Sequence, residues 1–374
     1  MSTDNQDLDH NSPAVSETEE KIPDYPLVHE ESGPPPSLSS RLRDPRTIVS
    51  LVIPIIVIVL VLVAFPSFHF DQLPSLIAQA NPWLLLAAFV VYYLGFPLRG
   101  YRWSILLKNA GAPIRLRDST EIIFISWLVN CLVPAKLGDV YRAYLVKVNN
   151  GTSASLAFGT IFIERVFDLF AIVLLGLAAG FWSFRSGMSP EVQLILIIGL
   201  VVVALLAVGL FLVRNFGSRL VRRLPLPTRV VDFYDRFEEG LFSIKARNVP
   251  LLGLLTVLIW MTEAFRLYFV VLAMGFNLPM GISGGLFVAL IASLLTAIPF
   301  TPAGLGAVEG AVVVILTSLY GATPTQAAAI VLVDRAISVL SVIIFGGITY
   351  IVSDKTKGPR ATPNAAETAE TAAG

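Results

Sequence analysis

The sequence predicts an all-α polytopic membrane protein of about six full spans plus two re-entrant helical hairpins, arranged as an inverted repeat. Three observations predict it. Apolar residues make up 55% of the chain and charged residues only 14%, where a soluble domain carries about 25% charged residues. Apolar runs recur at the length a helix needs to cross a hydrocarbon core, about 20 residues. Two of those runs are broken by proline and glycine, and a short motif repeats at the breaks.

In chain order, residues 1–47 are Pro-rich and hold ten acids against four bases. Such a segment cannot bury enough apolar surface to fold alone, so a disordered cytoplasmic tail is expected. Ile48–Phe65 begins too deep for an ordinary secretory signal peptide and reads as the first span. Pro82–Lys108 reads as the second. Ser119–Val133 meets Pro134 and resumes as Gly138–Val148, too short for a crossing, so it reads as a hairpin. Non-helical backbone at membrane depth is tolerated only where protein or a wet cavity covers it. Ser155–Phe184 and Pro190–Val213 are further spans. Residues 214–248 read as a cytoplasmic amphipathic connection, one interfacial helix or two. Val249–Phe276 is the next span. Ile282–Ile298 meets Pro299 and Pro302 and resumes as Gly306–Tyr320, a second hairpin. Thr325–Val352 is the last span, and 353–374 is a second disordered cytoplasmic tail. Repeat 1, with the first span of repeat 2 at 190–213, occupies 48–213, and 249–352 is the remainder of repeat 2.

Basic residues set orientation. Arg41, Arg43, Arg46, Lys108, Arg115, Arg117, Lys147, the eight bases of 214–248, Lys355, Lys357 and Arg360 all fall on one face of this topology, and Arg185 alone on the other. Both termini are then cytoplasmic, in a multi-pass protein of the cell membrane.

The hairpin tips match. Pro134-Ala135-Lys136-Leu137-Gly138-Asp139-Val140 aligns with Pro302-Ala303-Gly304-Leu305-Gly306-Ala307-Val308 at an offset of 168. Glu164-Arg165 and Asp334-Arg335 match at 170, and Arg102 and Arg266 at 164. Each half reads span, span, hairpin, span, and an odd number of crossings inserts the second half upside down.

Ionisable residues inside or beside apolar runs are the candidate site: Asp139, Arg142, Glu164, Arg165, Asp168, Glu263, Arg266, Glu309, Asp334 and Arg335. Each costs about 2.5–3.5 kcal/mol at a helix centre, so they must face one another, water or a polar ligand. Either they are paired struts or they hold a headgroup. Arg102 either snorkels to the interface or joins them. Gly138, Gly304 and Gly306 shape the tips, where half-helix N-termini offer N–H groups and a positive dipole end to phosphate. The carboxylates are placed to balance the arginines or to contact an amine or coupling ion.

Of the enzyme motifs, H-E-x-x-H, a Walker loop and a Rossmann fingerprint are missing from the sequence. Cys131 is the single cysteine, and His10, His29 and His69 lie outside the apolar runs. No enzyme activity, disulfide, metal, cofactor or nucleic-acid partner is expected.

Taken in order, Leu98-Arg99-Gly100-Tyr101-Arg102-Trp103, Pro134 with Gly138, Asp139 and Arg142, Glu164-Arg165-Val166-Phe167-Asp168, Glu263 with Arg266, Thr301–Gly306 with Glu309, and Asp334-Arg335 resemble the lysylphosphatidylglycerol synthase transmembrane-domain family, the flippase-like proteins. The resemblance covers about residues 48–352. It implies movement of a phospholipid or polyprenyl-linked headgroup between leaflets. Lys136 and Asp139 stand where the family pattern carries arginine and glutamate. In its best-known members a soluble aminoacyl-transferase domain follows, for which 353–374 leaves no room, so synthase activity is not expected. The expected partners are membrane lipids, anionic or aminoacylated, and a soluble transferase. A transporter of a small anionic solute, or a subunit presenting lipid to a partner enzyme, are the other readings of the same features.

Overall fold

The computed structural model describes residues 70–133, 135–183, 187, 190–296 and 304–356. The first expected span, the first tail, the second tail beyond residue 356, Pro134 and Pro302-Ala303 lie outside the described residues. Within them every regular element is helical. A 3₁₀ turn, Phe70–Gln72, leads into α1 (Leu73–Ala78). The first half continues with α2 (Pro82–Asn109), α3 (Leu116–Leu132), α4 (Leu137–Asn150) and α5 (Ala154–Ser183). Next come α6 (Pro190–Leu212), α7 (Ser218–Arg223) and α8 (Thr228–Leu241). The second half is α9 (Val249–Met274), α10 (Ile282–Thr296), α11 (Ala307–Tyr320), α12 (Pro324–Arg335) and α13 (Ser341–Val352).

Local sequence explains the ends. Asn81 Oδ1 accepts from the N–H groups of Trp83 and Leu84, and Pro82 needs no donor at the first helical position. Thr323 and Gln326 cap α12 reciprocally, with Pro324 at its start. Gly151, Gly275 and Gly321 end α4, α9 and α11 in the left-handed conformation. One π turn, Val213–Gly217, joins α6 to α7, and another, Ala336–Leu340, joins α12 to α13, so each pair continues without a break.

Among the described residues, four helical stretches are long and apolar enough to cross a membrane: Pro82–Asn109, Ile197–Arg223, Ala246–Met274 and Pro324–Val352. The shorter apolar helices are Ile282–Leu295 and Ala307–Tyr320. Helix α5 is 30 residues long and carries Glu164, Arg165 and Asp168 mid-length. Large apolar side chains stay exposed along α2, α6, α9 and α13, among them Trp83, Leu205, Phe211, Leu254 and Ile351. A soluble monomer rarely leaves so much apolar surface in contact with water. The chain is a polytopic, all-helical membrane protein.

Helices α2 and α9 pack side by side at the centre. In the first half α2 lies on α3, α3 on α4 and α4 on α5. In the second, α9 lies on α10, α10 on α11 and α11 on α12. The halves interlock, α10 on α5 and α13 on α3. The 214–248 connection forms two helices, and α8 clamps α5. That contact needs two glycines. A Cβ at Gly240 would lie 2.1 Å from the Leu156 carbonyl oxygen, and one at Gly159 would lie 2.2 Å from that of Phe237. Helix α8 keeps Val230 and Phe233 exposed beside Arg229 and Arg236, an amphipathic pattern suited to an interface.

Replacing Gly240 with valine forces the two backbones apart. It should cost about 1–3 kcal/mol and lower the unfolding temperature in detergent. Gly253→Ala, with nothing within 4 Å of the added Cβ, should leave that temperature unchanged or slightly raised.

Candidate functional site

The charges that the sequence places inside apolar helices converge on one cavity of about 450 Å³, walled by α2, α3, α4, α5, α9, α10, α11 and α12. Asp139, Arg165, Asp168, Glu263, Arg266, Gly304, Glu309, Asp334 and Arg335 line it. Arg102, Arg142 and Glu164 lie behind its wall, no more than 2% exposed. Arg102 therefore does not snorkel. Three acceptors hold it inside, which outweighs the pull of the interface.

The arginines and carboxylates form a connected lattice. Arg102 Nε lies 3.3 Å from Glu164 Oε1, and its Nη1 lies 2.6 Å from Asp168 Oδ1 and donates to Thr256 Oγ1 at 2.9 Å. Arg142 Nη2 lies 2.7 Å from Glu164 Oε2, with its guanidinium carbon 3.6 Å from the centroid of Trp103. Arg165 reaches Asp139 at 3.4 Å and Asp168 at 3.2 Å. In the second half Arg266 pairs with Asp334 and reaches Glu263 at 3.3 Å. Arg335 Nε lies 2.7 Å from Glu309 Oε1. Arg99 joins the halves, with Nη2 2.7 Å from Glu263 Oε1.

Contacts recur at the spacings of the sequence repeat. Arg102–Glu164 returns as Arg266–Asp334, and Asp139–Arg165 as Glu309–Arg335, with Glu309 two residues past Ala307, which matches Asp139 in the tip. Arg102 bonds Thr256, and Arg266 lies 5.4 Å from the ring of Tyr92, where Tyr92 and Thr256 are themselves 164 apart. Arg99 and Glu263 are also 164 apart and pair with each other.

At the tips, two backbone donors are already used. The Gly138 N–H donates to Asn130 Oδ1 at 2.8 Å, and the Gly306 N–H to Glu309 Oε2 at 2.6 Å. Those two donors serve the protein rather than an anion. Ala135 and Lys136 both take the left-handed conformation, at φ 62° and 52°. For residues other than glycine this costs about 1–2 kcal/mol each. In the second tip Gly304, at φ 71°, holds the place of Lys136 without that cost.

Reading the sequence for site residues left out Tyr92, Arg99, Trp127, Lys136 and Trp260, which also line the cavity. Arg99 was findable: it stands one turn before Arg102 on the same helix. Lys136 is the variable residue of the repeated tip. Nothing in the sequence singles out these aromatic residues from their neighbours. Trp260 donates its indole N–H to Asp168, and Trp127 lies 4.6 Å from the Arg99 guanidinium carbon.

Removing Arg142 takes from buried Glu164 its closer counter-ion and leaves it only the 3.3 Å contact to Arg102. Arg142→Met should therefore destabilise the protein by about 3–5 kcal/mol, read as a lower unfolding temperature in detergent. Adding Glu164→Gln should recover part of that loss, because the two changes act on one contact.

Residues 48–346 match the family described as the lysylphosphatidylglycerol synthase TM region. The chain is 40% identical over 185 residues to the UPF0104 membrane protein MJ1078 of Methanocaldococcus jannaschii, covering 49% of this chain and 76% of that protein. It is 26% identical over 262 residues to a UPF0104 membrane protein of Methanothermobacter thermautotrophicus, covering 64% of this chain and 76% of the other. It is 29% identical over 297 residues to the glycosyltransferase AglD of Haloferax volcanii, covering 70% of this chain but only 47% of that protein. By the extent of the family match and the likeness to MJ1078, the chain belongs to the lysylphosphatidylglycerol synthase transmembrane-region family.

Proposed function

We propose that this protein moves a phospholipid or polyprenyl-linked headgroup between leaflets, through a polar groove between two inverted repeats. The observation that carries the reading is the set of exchanged contacts between α2 and α9. Arg99 meets Glu263, Arg102 meets Thr256, and Tyr92 meets Arg266. As the number rises on α2 it falls on α9, so the helices run antiparallel. Exchanging the two helices turns the second contact into the third. A twofold axis across the helix pair does the same, and for membrane-crossing helices that axis lies in the membrane plane. Inverted repeats of this kind place transport sites near mid-membrane, at the repeat interface.

Under this reading α3–α4 and α10–α11 are re-entrant hairpins whose tips reach the cavity from opposite faces. The ion-pair lattice supplies polar partners at a depth where water is scarce. The headgroup passes along it while the acyl chains remain in lipid against the exposed apolar faces. Both termini face the cytoplasm, the membrane is the cell membrane, and the chain acts as a carrier rather than an enzyme. That one relative is named a glycosyltransferase keeps a glycosylated lipid headgroup within the substrate class and a transferase among the partners.

The test is headgroup exchange of labelled phospholipids in proteoliposomes. Wild-type protein should accelerate it. A folded Glu309→Gln, Arg335→Ala double variant should be slower by about tenfold or more, the factor that 1.4 kcal/mol of lost stabilisation gives. Equal rates for the two would contradict the reading.

A further inference from the structure

We propose that the cavity selects a headgroup of net charge −1, a phosphodiester with an uncharged remainder, and that Lys136 holds its phosphate. The proposal rests on the translocation reading and names the substrate class of the same site.

Charge balance is the first support. Six arginines in or behind the cavity face six carboxylates, and each carboxylate lies within 3.4 Å of an arginine nitrogen. An entering ammonium would have to displace a guanidinium from its partner. Lys136 is the seventh base. It lines the cavity and makes no ion pair among the described residues. Lys136 is half-buried, and an ammonium that makes no ion pair there gains from an arriving anion.

Backbone conformation is the second. Lys136 sits in the left-handed region, where the matching residue of the other tip is Gly304. Glycine would make this turn without strain, so the turn itself does not call for a lysine. Strain held at one residue of a cavity wall is a mark of a ligand-facing position. Arg99 is the third. It is 6% exposed, lines the same cavity, and its Nη1 has no hydrogen-bond partner among the described residues. The phosphate then lies beside the first turn of α4, where the helix dipole adds to the attraction.

Native mass spectrometry of the full chain tests this in an equimolar mixture of phosphatidylglycerol, phosphatidylethanolamine and lysylphosphatidylglycerol. Phosphatidylglycerol should be retained about tenfold or more over the other two. Lys136→Gly should abolish the preference while the unfolding temperature stays equal or rises. Lys136→Arg should keep the preference. Equal retention of the three lipids, a preference for the aminoacylated or zwitterionic one, or a preference untouched by Lys136→Gly would each overturn the proposal. The last result would assign retention to the surface arginines of α7 and α8. Soluble glycerophosphoglycerol identifies the source of the anion: displacement only in large excess marks a lipid headgroup, and equal affinity marks a free phosphate ester. Both results keep the charge assignment. Selection of phosphatidylglycerol without its exchange between leaflets would remove the translocation reading alone, and equal exchange of all three lipids without selection would remove this proposal alone.

Discussion

Charge inside an apolar medium must be neutralised where it stands, and this single requirement organises the molecule. Seven bases and six acids gather around one cavity. Each acid lies on a different turn, and most of the ion pairs join different helices. Helix α2 can sit only where Arg99 reaches α9 and Arg102 reaches α5. Helices α4 and α11 are fixed against α5 and α12 through Asp139 and Glu309. Apolar packing fills the space between these contacts but does not choose their register, because lipid is as apolar as the side chains themselves.

The proposed inverted repeat adds a constraint of its own. A residue on a twofold axis meets its own counterpart. Two copies of one charged residue would repel there. Positions 99 and 263 escape this by carrying arginine in one half and glutamate in the other. The pair at the axis is therefore the place where the halves had to differ, while the pairs away from it could stay alike. The tips differ too, Lys136 against Gly304, so the cavity is not symmetric in charge.

Much of this was legible in the sequence. The ends of α2, α5, α9, α12 and α13 follow the apolar runs to within a residue or two, because capping residues and prolines coincide with them. The broken runs correspond to α3–α4 and α10–α11, with Gly138 in the first turn of α4 and Gly306 just before α11. The acid–arginine pairs were visible since any charge in such a run must have a partner. Their partners were not, because pairing across helices depends on how far each helix is rotated about its axis. Arg102 shows the difference: its position suggested an interface, and only the approach of Glu164, Asp168 and Thr256 makes burial the better place. The use of the Gly138 and Gly306 N–H groups by Asn130 and Glu309 was equally hidden, since it depends on rotamers rather than residue types.

Movement of a headgroup between leaflets, as proposed, requires the cavity to be reachable from each side of the membrane. Cys131 is the chain's single cysteine, and it is buried in the wall of that cavity. It therefore reports access without any substitution. Sealed proteoliposomes with the protein in one orientation can be exposed to a small, charged, membrane-impermeant methanethiosulfonate from outside or from inside. If the headgroup passes through this cavity, Cys131 reacts from both sides, and an excess of transported lipid slows both reactions. Reaction from one side only, whatever the lipid, would contradict it.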